Sequence, residues 1–240
     1  RFAGDILPQQ EIGRALSLAD KLDNLAATFL RGLIPTGSQD PFALRRQTIG
    51  AVNILTDGKI HWDIRRGIEA ALALLPGDEE TKKTVLSQIE DFFRQRIKAI
   101  MLDEGIAYDI IDAVLAGPVD DIYALFLKAR SMAESQLKGE AELRQAVTRL
   151  ANITKGKTGG KVDPSLFTED VEKKLQDAFE AVSAKALPLF ASYEYGKALP
   201  ALKELTAPIN DYLDNVMVMV DDEAVKNNRI ASSKKSDAIH

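Results

Sequence analysis

Cysteine is absent from all 240 residues, and histidine occurs only twice, once at the last position. The first absence excludes a disulfide framework and any zinc site built on thiolates, and it fits a reducing compartment. The second leaves Ser-His-Asp and Cys-His catalysis without a positioned base, and any metal site would have to be nearly all carboxylate. His61-Trp62-Asp63 is no metal motif by itself, and His61 reads as a residue at a helix start. No apolar run reaches membrane-spanning length, and Arg1-Phe2-Ala3-Gly4-Asp5 has no feature of a signal peptide. The chain opens without methionine, which reads as a piece of a longer protein. Strand signal is equally poor, with "VMVMV" the one candidate and too short to build a sheet. The net charge of −5 argues against nucleic-acid binding by bulk attraction, while leaving room for a basic patch on an acidic body.

What is there is helical. Apolar residues recur at helical spacing, and 45% hydrophobic with 28% charged residues is an ordinary globular composition. The first helix, "IGRALSLADKLDNLAATFL", places Ile12, Leu16, Ala19, Leu22, Leu25, Ala26 and Phe29 on one stripe. After a turn-rich loop, Asp40 suits an N-cap and Pro41 the first helical position, where its missing N–H costs nothing. From there to about Thr56, Phe42, Leu44, Ile49 and Val52 supply apolar positions. Asp78 caps a long segment with an acidic start and Gly105 at its end, as the helix dipole and C-cap rules favour. Further helices follow at 107–117, 120–137 and 140–156, meeting near Lys138-Gly139. Another resumes at Thr168, with Pro188 kinking or ending it, and two shorter ones precede "VMVMV". The fold class is all-α, with a boundary placed in the Arg31–Asp40 loop.

Two constellations invite a chemical reading. "KGKTGGK", Lys155–Lys161, follows a helix and has Ala151 and Asn152 where a phosphate loop needs its first glycine, so it reads as a flexible basic loop. Arg45, Arg46, Arg65, Arg66, Arg94, Arg96 and Lys98 stand on three successive helices, with Phe42, Trp62, Phe92 and Phe93 nearby. Arginine forks grip phosphates and aromatic faces stack on unpaired bases, but at least one of Phe92 and Phe93 belongs to the core. From the residues alone, Arg45 and Arg46 are solvated, paired with acids, or awaiting a polyanion, and the solvated face is the commoner case.

Three longer stretches carry a resemblance. They are "ALSLADKLDNLAATFLRGLIPTGSQDPFALRRQTIGAVNIL", "FFRQRIKAIMLDEGIAYDIIDAVLA" and "NDYLDNVMVMVDDEAVKNNRI", and together they span about residues 11 to 230. The chain resembles the C-terminal part of the bacterial glycyl-tRNA synthetase beta subunit. The resemblance implies an α2β2 glycine–tRNA ligase whose alpha subunit activates glycine with ATP and magnesium, with no cofactor and no catalytic residue in this stretch. It implies the end of an HD-like domain at 1–34 and, at 35–230, a helical anticodon-binding domain similar to that of arginyl-tRNA synthetase. A polar, disordered tail at 231–240 stands where the family continues with an apolar helix. Asp20 stands at the position of the HD fold's last metal-ligand Asp, but without upstream His and His-Asp ligands no metal site is credited. The implied partners are glycine tRNA, read at two anticodon cytosines, and the alpha subunit, in the cytoplasm, with neither membrane nor DNA. The implied tRNA-binding residues are Arg45, Arg46, Phe42, Arg94, Arg96 and Lys98. Met217 and Met219 are expected in the core, with Asp221 as a cap. The alternatives are a helical scaffold docking the alpha subunit or the rest of beta, and a fragment of an HD-type metal phosphohydrolase.

Overall fold

The computed structural model describes residues 6–37, 39–136, 141–157 and 160–234. Eleven α-helices are found among the described residues, and no strand; one isolated bridge joins Asp63 to Asp121. The chain forms two compact units, Arg1–Arg130 and Ser131–His240.

The first unit contains α1 (Glu11–Leu30), α2 (Leu44–Asp57), α3 (Ile64–Ala73), α4 (Glu79–Asp103), α5 (Tyr108–Leu115) and the start of α6 (Ile122–Gln136). Its spine is α4, whose 25 residues extend about 38 Å. Asp78 caps it by accepting the Thr81 N–H at 2.8 Å. Ile89, Phe93, Ile97 and Met101 recur every four residues along it and are buried, so one continuous stripe meets the neighbouring helices. At its end, Gly105 takes φ +81°, and the Gly105 and Ile106 N–H groups return to the carbonyls of Leu102 and Met101. Left-handed backbone at that position favours glycine, as the sequence reading expected.

Helix α1 packs on α2, α3 and α4. It ends by the same device, with Gly32 at φ +71° and the Gly32 and Leu33 N–H groups on Phe29 and Thr28. Edge-on contact of Phe29 with Phe92, ring centroids 5.2 Å apart, ties its C-terminal half to α4. The expected boundary at 34/35 therefore does not coincide with the division between the units, which falls at 130/131. Turn residues mark where a helix stops, and they do so inside a unit as readily as between two. The α1 stripe is also shorter than expected. Leu18, Leu22, Leu25, Ala26 and Phe29 are buried, whereas Ile12, Leu16 and Ala19 are exposed.

The second unit contains α7 (Ala141–Thr154), α8 (Asp170–Ala191), α9 (Tyr195–Leu202), α10 (Thr206–Asn215) and α11 (Glu223–Lys234). Its core gathers Leu150, Leu175, Phe179, Ile209, Tyr212 and Ile230. A capping box opens α8, with Glu169 and Glu172 each satisfying the other's backbone. Pro188 neither ends nor divides α8, which runs on to Ala191. It falls in the last turn, where a missing N–H removes one ladder bond. Residues 231–234, expected in a disordered tail, are the last turn of α11, and Ala231, Ser232 and Ser233 are buried. The rest of that expected tail, 235–240, lies outside the described residues, as do Ser38, Lys138-Gly139 and Thr158-Gly159.

Candidate nucleic-acid interface

The Asp-Pro-Phe-Ala turn places the first group of candidate residues. Asp40 caps α2 from farther away than an ordinary N-cap. Its carbonyl accepts the Ala43 N–H at 3.0 Å, and its carboxylate oxygens accept the N–H groups of Leu44 at 2.7 Å and Arg45 at 3.0 Å. Pro41 and Phe42 thus form a turn ahead of the helix, and Ala43 takes the left-handed conformation at φ +55°. A left-handed alanine costs about 1–2 kcal/mol, which three bonds to one aspartate offset. The Phe42 ring stands 48% exposed rather than in the core, and Ile49 is exposed as well; Leu44 and Val52 are buried as expected.

Arg45 folds back on its own loop, donating from Nη2 to the Gly37 carbonyl at 2.6 Å and from Nη1 to the Gln39 carbonyl at 3.4 Å. Arg46 is exposed and has no polar partner among the described residues. The other basic candidates divide between two faces of α4. Arg94 donates to the carbonyls of Leu115 and Gly117 and lies 3.6 Å from Asp91. Lys98 reaches Asp112 at 2.7 Å and sits 3.8 Å from the centre of the Tyr108 ring. The hydrogen bond to Asp112, followed by that to Tyr108, holds its ammonium above the usual lysine range. Both side chains fasten α4 to α5. Arg96 lies across the helix from them, stacked 3.6 Å above the Phe92 ring, with Nη1 donating to the Phe92 carbonyl and to Gln95 Oε1. The six candidates are therefore not one surface. Phe42, Arg45 and Arg46 share the start of α2, Arg96 faces Arg45, and Arg94 with Lys98 serve the α4–α5 contact. Arg65 and Arg66 are paired with Glu69, Glu90 and Asp63.

The second unit carries a feature that sequence reading misplaced. In the extended stretch after α10, Val216 and Val218 are buried, whereas Met217 is 73% and Met219 41% exposed. The methionines therefore face outward, contrary to the expected core placement. Strand-like alternation makes one set of VMVMV face in and the other out, and the branched valines took the inner set. Lys157 Nζ donates to the Ile153 carbonyl at 2.8 Å and lies 3.2 Å from Met219 Sδ, so the basic loop after α7 adjoins this stretch. Lys155 and Lys161 in the same loop are exposed. Asp222, not Asp221, caps α11, accepting the N–H groups of Ala224 and Val225.

Beneath this stretch lies a buried ion pair that sequence reading did not single out. Arg229 Nε meets Glu172 Oε1 at 3.0 Å, with side chains only 6% and 1% exposed. Arg229 also donates to the Met217 carbonyl and to the Thr168 hydroxyl. Burial would push the Glu172 carboxyl up, but Arg229 and the N–H groups of Thr168 and Glu169 together hold it below the usual range. The backbone of the outward-facing methionines is thereby fixed to the core. A charged pair with both members in otherwise polar helix stretches leaves no mark on hydropathy, and no sequence signal could have found it.

Among the described residues, no three His, Cys, Asp or Glu side chains come together as a metal site. Asp20 is exposed, and His61 pairs with Asp121 at 2.8 Å, joining the start of α3 to the cap of α6. No helix among the described residues is long and apolar enough to cross a membrane. What the surfaces offer is arginine forks, lysines and exposed apolar side chains, the groups that hold phosphates and unstacked bases.

The family profile described as glycyl-tRNA synthetase beta subunit matches residues 1–116, and the DALR anticodon binding domain profile matches residues 143–237. The first match ends and the second begins on either side of the division between the two units. All six expected tRNA-binding residues lie in the first match, none in the second. The chain is 42% identical over 236 residues to the glycine–tRNA ligase beta subunit of Clostridioides difficile (strain 630), covering 98% of this chain and 34% of that protein. It is 38% identical over 239 residues to the beta subunit of Desulforamulus reducens, with 98% and 34% covered. The beta subunit of Aeromonas hydrophila is 40% identical over 238 residues, with 96% and 34% covered. The chain thus spans about a third of the length of these curated relatives. With two profiles on successive units and these identities running along nearly its whole length, the chain belongs to the glycyl-tRNA synthetase beta subunit family.

Proposed function

We propose that this chain is a tRNA-gripping part of a glycine–tRNA ligase. Its second unit reads the anticodon arm of glycine tRNA. It holds the molecule so that the acceptor end reaches an alpha subunit, which activates glycine with ATP and magnesium in an α2β2 assembly of the cytoplasm. The observation that carries this reading is the coincidence of the anticodon-binding match, 143–237, with a self-contained helical unit, 131–240. The exposed Met217 and Met219, with Lys157 beside Met219 and Lys155 and Lys161 exposed in the same loop, supply a chemistry in which thioethers meet unstacked base faces and ammonium groups meet phosphates. Phe42 and Arg46, exposed at the start of α2, add a contact in the first unit.

The test is binding of the chain to glycine tRNA over a salt series, beside the same tRNA with both anticodon cytosines replaced. Anticodon reading gives salt-sensitive binding that weakens by about tenfold or more on replacement, since each mismatched position costs about 1–3 kcal/mol. Equal affinity for the two RNAs reduces the role to a backbone grip. Absence of binding by the folded chain transfers the function to docking of the alpha subunit.

A further inference from the structure

We propose that Arg45 and Arg96 form a phosphate clamp in the first unit, separate from the anticodon-reading unit. A cleft of about 380 Å³ opens between the α1–α2 loop, the start of α2 and one face of α4. Both arginines line it, with Gln88, Gln95 and Asp91 at its walls and Phe92 beneath. Each guanidinium is held in place by neutral groups. Arg45 is anchored by the carbonyls of Gly37 and Gln39, and Arg96 by the Phe92 ring, the Phe92 carbonyl and Gln95. Neither has a carboxylate partner within ion-pair distance among the described residues, whereas Arg65, Arg66, Arg94 and Arg130 each have one.

The two nearby carboxylates are engaged elsewhere. Asp40 accepts the first two N–H groups of α2, and Asp91 lies against Arg94. Two cations thus share a concave wall, with no carboxylate within ion-pair distance of either among the described residues and the charge of Asp40 acting on Arg96 only from farther away. Burial, and then the charge of Arg45, pull the Arg96 guanidinium below its usual range, with Asp40 opposing only in part. Nε of Arg45, and Nε and Nη2 of Arg96, donate no hydrogen bond among the described residues, and Gln88 and Gln95 line the same space. Planar guanidinium forks match tetrahedral oxyanions with paired N–H donors, and an anion here would relieve the repulsion between them. Arg94 and Lys98 cannot join, because both are spent on α5.

A phosphate group reaches this cleft from an RNA backbone or as free phosphate, and two measurements separate the sources. Trp62, the only tryptophan, lies in the first unit, so its fluorescence reports unfolding there. Inorganic phosphate raises that unfolding midpoint above its value in chloride or acetate at matched ionic strength, and the rise disappears in Arg45→Gln/Arg96→Gln. Arg96→Lys, which keeps the charge and loses the fork, retains less than half of it. If the clamp takes RNA, the double variant binds glycine tRNA about tenfold more weakly, with a salt dependence shallower by about 1, and still discriminates against the cytosine-replaced tRNA. If tRNA affinity is unchanged while the phosphate response is lost, the clamp stands and its occupant is free phosphate. A phosphate response equal to that of acetate, or one surviving in a double variant with native circular dichroism, overturns the proposal. Loss of cytosine discrimination by the wild-type chain would instead sink the anticodon reading and leave the clamp intact.

Discussion

The two units place their charges in opposite ways. In the first, the interior is apolar and the ion pairs lie outside it: Arg130 with Glu104, Lys98 with Asp112, and Arg65 with Glu90 join helices at the rim. In the second, the last helix docks through polar groups. Asn228 exchanges two hydrogen bonds with the backbone of Asp163, at 2.7 and 2.9 Å, and Arg229 buries its charge against Glu172. Ser233 donates to the Arg229 carbonyl at 2.8 Å. A long amphipathic helix such as α4 supplies enough apolar surface to organise its neighbours. The short, polar α11 does not, so its placement rests on directional bonds that accept only one geometry. The lesson is that a stretch too polar to be read as core can still be core when most of its polar groups are paired, as Asn228, Arg229 and Ser233 are, while the buried Ser232 hydroxyl has no partner among the described residues.

The largest effects should come from single changes that strike one unit and spare the other. Arg229→Ala leaves Glu172 buried and unpaired, and it should destabilise the second unit by about 3–5 kcal/mol. Phe93→Ala opens a cavity under α4 and should destabilise the first by about 3–5 kcal/mol. Denaturant unfolding followed by Trp62 fluorescence should shift strongly for Phe93→Ala and little for Arg229→Ala, while far-ultraviolet circular dichroism registers both. A shift of the Trp62 transition in Arg229→Ala as large as in Phe93→Ala would show that the units unfold as one.

A pH titration sharpens the same contrast. Burial pushes the Tyr212 hydroxyl up to about 12, with the Ser233 hydrogen bond opposing. Because the folded value exceeds the unfolded one near 10, this contribution to stability is complete below pH 10 and is lost between 10 and 12. Of the five tyrosines, one should ionise last in an absorbance titration, together with unfolding of the second unit. Glu172 acts at the other end. Its folded value lies below the ordinary 4.5, so its contribution is present above pH 4.5 and lost as pH falls through the depressed value. Acid should therefore weaken the second unit through this pair, and Arg229→Met/Glu172→Leu should flatten the acid limb. The smallest effect belongs to Asp40→Ala, which strips two N–H groups at the start of α2 of their acceptor and should cost about 1–2 kcal/mol in the first unit. Its measurement is the midpoint of the Trp62 transition, and an unchanged midpoint would mean that water replaces the carboxylate.

Much of the helical framework was legible because its signals are local. Asp78 at the start of α4 and Gly105 at its end are read within a turn of chain, and the structure bears them out. The candidate interface was legible only as a list of residue types. Spacing on α4 separates Arg96 from Arg94 and Lys98. Whether a cation is spent on a neighbour depends on what stands opposite it: Leu115 and Gly117 for Arg94, Asp112 for Lys98, and Arg45 for Arg96. The methionines of VMVMV show the same limit, since alternation predicts two faces without saying which is inner.

By itself the sequence determined the all-α class, the positions of most helix ends and the exclusion of disulfides and thiolate zinc. Caps, breakers and periodicity act through the backbone of their own segment, so no distant partner is needed to read them. The tertiary structure alone decided that the units divide at 130/131 rather than 34/35, that residues 231–234 close α11, and that Arg229 meets Glu172 across 57 positions of chain. Each of these depends on free energy shared between residues far apart in sequence, through apolar burial in the first unit and polar pairing at the last helix of the second.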